Sequence, residues 1–282
     1  MDDGTNVVIR RHGNPAGPRL VVCHGNGLAS DLYYPFWSLL TAECDLIVYD
    51  LRNHGWNEVT AIENHNIPSL VRDHDLIMEA IDSYFGDKPK VGAFHSVSAL
   101  ISLLSPTKGS AFAGRILFDA PLCRAGQTYE KMEEATARNA ASARRRRERF
   151  ASTEQFSHRL QSVPAFSRVV PGVLDLMAKT TLRRSPDRAH YELRCPSEYE
   201  ARLAEYGEVY SGMVDLGELA SPTKVLGADP SLPPAYLPSL DLTDIVTVDY
   251  DFLPDATHLL QLEEPEACAE AARDFLDTIH DG

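Results

Sequence analysis

The sequence lacks several features that would each indicate a class of protein. Its 282 residues include only five cysteines, and none of them forms a C-x-x-C pair. An odd, dispersed set of cysteines indicates neither a disulfide framework nor a zinc site, and is typical of reduced thiols in a cytosolic protein. The sequence also has no run of about 18 apolar residues, so we expect no membrane-spanning helix.

Positive charge is scarce as well. Lysine and arginine number 27 against 41 aspartates and glutamates, which gives a net charge of −14. Because nucleic-acid binding needs a basic face that neutralises phosphates, this balance argues against a nucleic-acid partner. The first residues, MDDGTNVVIRR, hold no apolar segment of a signal peptide. We therefore expect a cytoplasmic protein that acts on a small molecule without nucleic-acid or membrane partners, whereas its oligomeric state stays open.

Short apolar runs rich in β-branched residues recur along the chain, and each leads into turn residues. Such unbroken runs are typical of strands buried on both faces, as in a parallel sheet. Amphipathic helical patterns alternate with them, over 69–84 and 265–279. The alternation predicts an α/β fold that binds ligands at the carboxyl ends of its strands. The predicted strands are 20–23, 46–49, 91–94, 115–118, 224–226 and 245–248.

One long segment interrupts this alternation. Residues 121–217 contain helical stretches separated by prolines and no convincing strand pattern. An insertion of this kind predicts a helical cap above the strand ends, and the core would then comprise residues 1–120 and 218–282. Such a cap would exclude water and shape a substrate cavity.

A serine stands between a predicted strand and a predicted helix in the stretch VGAFHSVSAL. At this turn Ser96 could be a nucleophile, with the first N–H groups of the helix nearby to stabilise an oxyanion. It could equally be an ordinary helix cap. The stretch departs from the G-x-S-x-G pattern at Phe94 and Ser98, which stand where that pattern has glycine.

Further candidates lie at the other strand ends. The glycine-rich turn HGNG lets the backbone approach a ligand, so that the amides of Asn26 and Val97 could form an oxyanion hole. A plain glycine turn with a buried histidine is the alternative. His258, between the last predicted strand and helix, is the candidate general base. The candidate substrate-binding residues are His24, Gly25, Gly27 and His95.

Two carboxylates could orient the imidazole of His258. Asp229 ends the predicted strand after the cap, and it gives the chain order serine, aspartate, histidine. Asp119 ends the predicted strand before the cap and could serve from a neighbouring strand end. We favour Asp229 and keep Asp119 as the alternative.

Together these pieces resemble the α/β-hydrolase superfamily over essentially the whole chain. The matching stretches are CHGNG, YDLRNHG, FHSVSA, FDAP, LGADP and PDATHLLQLEEPE. HGNGLASDLYYPFW is further similar to fungal toxin-biosynthesis hydrolases, and HSVSA to the elbow of the strigolactone and karrikin receptor hydrolases. The resemblance implies the α/β-hydrolase fold, a Ser-His-Asp triad and an oxyanion hole, without a metal or cofactor. It does not imply a substrate.

The sequence thus predicts a serine hydrolase that cleaves an ester or related acyl bond of a small, moderately apolar molecule through an acyl-enzyme. Three alternatives remain: a ligand-sensing or accessory protein with slow or no turnover, a C–C bond hydrolase, and a cofactor-free haloperoxidase. The basic run RRRRER at 144–149 favours a solvated helix face, and contact with an anionic substrate is its alternative. The turn at 50–55 is expected to be scaffold.

Overall fold

A seven-stranded sheet forms the centre of the protein. The computed structural model describes residues 1–122, 129–232 and 248–281. The strands of this sheet and of a small second sheet are β1 (Ile9–Gly13), β2 (Arg19–Cys23), β3 (Asp45–Tyr49), β4 (Lys90–His95), β5 (Gly114–Phe118), β6 (Arg149–Phe150), β7 (Leu182–Arg184), β8 (Tyr191–Leu193), β9 (Thr223–Gly227) and β10 (Asp249–Phe252). Five predicted strands are confirmed to within one residue at each end, whereas 245–247 of the sixth lie outside the described residues.

The order of the strands brings the candidate site residues together. The central sheet runs β1-β3-β2-β4-β5-β9-β10, and every pairing is parallel except that of β1 with β3. The carboxyl ends of β2, β4, β5 and β9 therefore lie at one edge of the sheet. This confirms the predicted α/β fold with a mostly parallel sheet. The antiparallel edge strand β1 was not predicted, because its residues are only partly buried and carry no continuous apolar run.

Helices cover both faces of this sheet. Every residue of β2, β3, β4 and β5 is buried, and alternate side chains along each strand enter two separate apolar clusters. One cluster joins the sheet to the helices at 34–37 and 265–281, and the other joins it to the helices at 67–85 and 97–104. The helices of the core are α1 (Tyr34–Trp37), α2 (Ile67–Phe85), α3 (Val97–Leu104), α8 (Leu260–Glu263) and α9 (Pro265–Asp281).

Helix α2 shows how local sequence sets these boundaries. The side chain of Asn66 accepts a hydrogen bond of 3.0 Å from the amide of Ser69, and a proline occupies the first turn. Gly86 ends the helix with φ 87°, a conformation that glycine adopts without strain. Among the described residues, no helix combines the length and the apolar character needed to cross a membrane.

The segment between β5 and β9 contains helices and also a second sheet. Its helices are α4 (Tyr129–Arg144), α5 (Thr153–Leu160), α6 (Val173–Thr181) and α7 (Ser197–Ser211). Strands β6, β8 and β7 pair antiparallel, so the expectation of a segment without strands is wrong. Strands of two or three residues are too short for an alternating pattern to show in the sequence. Residues 123–128 of the proposed cap lie outside the described part of the chain, and its limits at 121–217 stay a prediction.

Candidate active site

Ser96 occupies a strained turn between β4 and α3. Its φ of 53° and ψ of −118° are unusual for a residue other than glycine, and its side chain makes no capping hydrogen bond to the helix. The interpretation of Ser96 as a helix cap is therefore wrong. Backbone strain of this kind persists where the surrounding structure imposes it, often at functional sites. The turn has the geometry of a nucleophile elbow and leaves the hydroxyl at the edge of a cavity.

The two departures from the G-x-S-x-G pattern have structural explanations. The ring of Phe94 packs on His74 and Phe112, with centroids 5.3 and 5.6 Å apart. A Cβ atom at Gly92 would stand 2.3 Å from the Phe94 ring, so the missing side chain at Gly92 makes room for it. Ser98 is buried and donates to the carbonyls of β2 and β4, which excludes it as an accessible nucleophile.

The imidazole of His258 lies against the carboxylate of Asp119. Nδ1 of His258 and Oδ2 of Asp119 are 2.5 Å apart. The other oxygen of Asp119 accepts the amide of Ala228 at 3.0 Å. Because a carboxylate can only accept, Nδ1 carries the proton, and the tautomer with this proton has its lone pair at Nε2. Asp119 also has a positive φ, of 41°, at the end of β5, so two strained residues stand at neighbouring strand ends.

The surroundings of Asp119 favour its ionised form. Burial alone would raise the pKa of this carboxyl group. The hydrogen bonds from His258 and from the amide of Ala228 outweigh burial and hold the pKa below its usual value. Asp119 can therefore keep its negative charge at neutral pH and fix the tautomer of His258.

Asp229, the acid that we favoured from the sequence, does not contact His258 through its carboxylate. One of its oxygens accepts the amide and hydroxyl of Ser231, at 2.8 and 2.6 Å, and the other accepts the amide of Asp255 at 2.9 Å. The preference for Asp229 as the partner of His258 is thus wrong. Its carboxylate stabilises the loop that carries His258, because Asp255 lies three residues before the histidine.

The glycine-rich turn after β2 lies directly against the elbow. A Cβ atom on Gly25 would come within 2.7 Å of His95 and 3.2 Å of Ser96, so only glycine fits there without displacing either residue. The amide N–H of Gly25 donates a hydrogen bond to the Tyr33 hydroxyl. In the described ranges, no acceptor receives the amide N–H of Asn26 or Val97, the two predicted oxyanion donors.

Two of the four predicted substrate-binding residues serve the scaffold instead. His24 is fully buried; its Nδ1 bonds to the Gly25 carbonyl, and its Nε2 accepts the amide of Leu51. With both ring nitrogens used, His24 offers nothing to a substrate, and that prediction is wrong. Gly27 is not among the cavity residues, and its amide donates to Nε2 of the buried His54. Gly25 and His95 do line the cavity.

A chain of hydrogen bonds that the sequence did not predict connects the three loops of the site. The amide of Gly25 donates to the Tyr33 hydroxyl at 3.2 Å, and that hydroxyl lies 2.6 Å from Nδ1 of His95. Nε2 of His95 lies 2.7 Å from the carbonyl of His258, so this nitrogen donates. Burial lowers the pKa of His95 to about 3, and the neutral ring can therefore accept from Tyr33 at Nδ1.

Ser96 and His258 open onto one cavity of about 850 Å³. One side of it is formed by the sheet edge and the histidine loop, and the other by the segment between β5 and β9. A volume of this size accommodates a small-molecule ligand. Its apolar wall consists of Leu28, Phe150, Phe156, Leu160, Val163, Phe166, Met177 and Leu259.

A buried trio of potential metal ligands lies outside this cavity. The ligand atoms of His54, His65 and Cys195 lie within 4.8 Å of one another. Nδ1 of His54 bonds to the Arg52 carbonyl, however, and its Nε2 accepts the amide of Gly27. The trio therefore fits a scaffold role, as expected for the turn at 50–55.

Comparisons with known proteins agree with this architecture. Residues 20–271 match the model of the "Alpha/beta hydrolase family". A comparison with curated protein sequences yields no significant match. Among solved structures, the chain is similar to E-2-(acetamidomethylene)succinate hydrolase, with a TM-score of 0.76, 16% identity and 98% and 97% of the two chains covered.

Two further solved structures have the same fold. One is the thioesterase domain from the curacin biosynthetic pathway, with a TM-score of 0.70, 16% identity and 95% of each chain covered. The other is a thermophilic esterase from Thermogutta terrifontis with malate bound, with a TM-score of 0.67 and 21% identity. That match covers 98% of this chain and 94% of the esterase. At these identities the likeness extends to the fold alone.

Proposed function

Because the chain belongs to the alpha/beta hydrolase family, we propose that it is a serine hydrolase that cleaves an ester or related acyl bond of a small, moderately apolar molecule. Ser96 is the nucleophile, His258 the general base and Asp119 the acid that orients His258. The observation that carries the proposal is the 2.5 Å contact between His258 and Asp119, at a cavity that the strained Ser96 also lines.

The proposed reaction proceeds through an acyl-enzyme. Oγ of Ser96 attacks the carbonyl carbon of the substrate while Nε2 of His258 takes the hydroxyl proton. The amides of Asn26 and Val97 stabilise the oxyanion of the tetrahedral intermediate. The C–O bond to the alcohol then breaks, and the proton on His258 passes to the leaving oxygen. A water then gives a proton to His258 and attacks the acyl carbon. The bond to Oγ of Ser96 breaks, the acid is released, and His258 returns the proton to Oγ.

A fluorophosphonate probe tests the nucleophile directly. We expect one probe molecule to attach per folded chain, because His258 activates the Ser96 hydroxyl for attack on phosphorus. Intact-protein mass spectrometry measures the labelling. Ser96→Ala should abolish it, whereas Ser98→Ala should keep it, since Ser98 is buried behind the elbow. Labelling that survives Ser96→Ala contradicts the proposed nucleophile, and a folded wild-type chain without labelling favours a ligand-sensing protein.

Tyr33→Phe tests the hydrogen-bond chain that connects the turn, the elbow and the histidine loop. Without the hydroxyl, the amide of Gly25 and Nδ1 of His95 lose their partner in a buried place, and such groups cost about 1–3 kcal/mol when unpaired. We expect kcat for an activated ester to fall about tenfold with KM nearly unchanged. Tyr34→Phe is the matched control, because Tyr34 is adjacent and exposed. Equal kcat in the two variants would contradict a positioning role for Tyr33.

A further inference from the structure

The charge of the cavity is opposite to that of the whole protein. The chain carries a net charge of −14, yet the described residues around the cavity include five arginines and only two glutamates. The arginines are Arg145, Arg146, Arg147, Arg159 and Arg168. A concave site surrounded by charge of one sign concentrates ligands of the opposite sign.

The two glutamates offset only part of this charge. Glu200 forms an ion pair with Arg146 and so neutralises the charge of that arginine. Glu263 accepts hydrogen bonds from the amide and hydroxyl of Thr257, at 2.6 and 2.5 Å, in the histidine loop. The guanidinium of Arg168 donates to a backbone carbonyl, that of Asp255, at 3.0 Å. It therefore keeps a full positive charge beside the cavity.

Of the five arginines at the cavity, Arg145 and Arg159 have no side-chain partner within the described part of the chain. Among residues 1–122, 129–232 and 248–281, no acceptor bonds to either side chain. They come from different elements, since Arg145 directly follows α4 and Arg159 lies in the last turn of α5. Both are exposed at the cavity. A guanidinium group binds a carboxylate or a phosphate through paired N–H donors.

The basic run at 144–149 is thus divided between two environments. Arg144 fits the expected solvated helix face, because it is exposed and pairs with Glu198 and Glu205. Arg145, Arg146 and Arg147 instead line the cavity. A solvated helix face does not explain why Arg159 of α5 and Arg168 lie at the same cavity as these three arginines.

We propose that the substrate carries an anionic group, a carboxylate or a phosphate, at a distance from the scissile carbonyl, and that Arg145 and Arg159 bind this group. The inference rests on the proposed function and specifies its substrate class: an ester with an apolar portion against the aromatic and aliphatic wall and a negative charge at the arginines.

A pair of matched esters tests the proposal. p-Nitrophenyl hydrogen suberate has a free terminal carboxylate, and its methyl ester has the same chain without the charge. We expect kcat/KM of the wild type to be about tenfold higher for the acid, and this preference to shrink in 1 M NaCl, where charges at exposed groups are screened. Suberate and inorganic phosphate, each as an inhibitor of methyl-ester hydrolysis, distinguish the two anionic groups. Inhibition by neither at millimolar concentration contradicts the proposal.

Arginine variants connect the preference to these two residues. In Arg145→Gln/Arg159→Gln, kcat/KM for the acid should fall to about that for the methyl ester, so that the preference disappears. Arg138→Gln is the control, because Arg138 lies on α4, close in sequence to Arg145, and is exposed and not at the cavity. If the wild-type protein hydrolyses the methyl ester and shows no preference for the acid, the proposal of an anionic substrate is wrong, but the proposed hydrolase activity stands. Turnover of neither ester contradicts both proposals.

Discussion

Replacing Asp119 by asparagine should lower kcat for an activated short-chain ester by roughly 10⁴-fold, the loss typical when a triad acid is removed. The carboxylate accepts the Nδ1 proton of His258 at 2.5 Å, and its charge would stabilise the imidazolium that forms during attack. An asparagine is neutral and can present its NH₂ group to Nδ1, which favours the tautomer without a lone pair at Nε2. Steady-state kinetics with p-nitrophenyl acetate measure the loss.

Asp229→Asn is the matched control for this prediction. The two aspartates end neighbouring strands, but among the described residues the carboxylate of Asp229 accepts only from Ser231 and Asp255. Its replacement removes a hydrogen bond from the loop before His258, and we expect kcat to change by less than about tenfold. Far-UV circular dichroism should show both variants folded. A larger loss at Asp229 than at Asp119 would contradict the assignment of the acid.

The choice between these two acids shows where prediction from the sequence ended. Asp119 and Asp229 both follow buried apolar runs, so each was correctly expected at a strand end. Which of them meets His258 depends on the path of the loop after β10, and that path is set by tertiary contacts. The hydrogen bond from the Asp229 amide to the carbonyl of Ala256, at 2.8 Å, is one such contact. No local pattern in the sequence encodes it.

The elbow shows a similar limit. Phe94 was unexpected at a position where glycine is usual, and the structure supplies the space through Gly92, two residues earlier on the same face of β4. A sequence search that compared only positions 94 and 98 with the G-x-S-x-G pattern would not find that Gly92 makes room for the Phe94 ring. The Tyr33–His95 contact was equally hidden, because its partners are 62 residues apart in the chain. The strands themselves were predictable, since burial on both faces requires continuous apolar runs.

Acidification should destabilise this protein at a pH well above the range in which carboxylates titrate. Burial lowers the pKa of His65, His74 and His95 to about 3 each. Burial also lowers the pKa of His24 and His54. Asp45 and Asp119, whose pKa values are lowered by their partners, lose their contribution to stability only at more acidic pH.

The sign of the effect follows from where the protons bind. Below about pH 6.5 the unfolded chain takes up protons on these imidazoles, while the folded protein does not until about pH 3. Each histidine then lowers the free energy of unfolding by up to about 1.4 kcal/mol per pH unit. At about pH 5 the three buried histidines together lower the free energy of unfolding by roughly 6 kcal/mol, which is comparable to the whole stability of a typical domain.

Urea unfolding followed by circular dichroism at about pH 7.5 and about pH 5 measures this dependence. His74→Gln should reduce the difference between the two pH values by roughly 2 kcal/mol, because one fewer imidazole titrates on unfolding. The difference, rather than either value alone, is the readout, since the substitution also disturbs the contacts of His74 with Tyr49 and Phe94. His158→Gln changes an exposed histidine and should leave the difference unaltered. A free energy of unfolding that stays constant between these pH values would mean that the buried imidazoles are protonated in the folded protein.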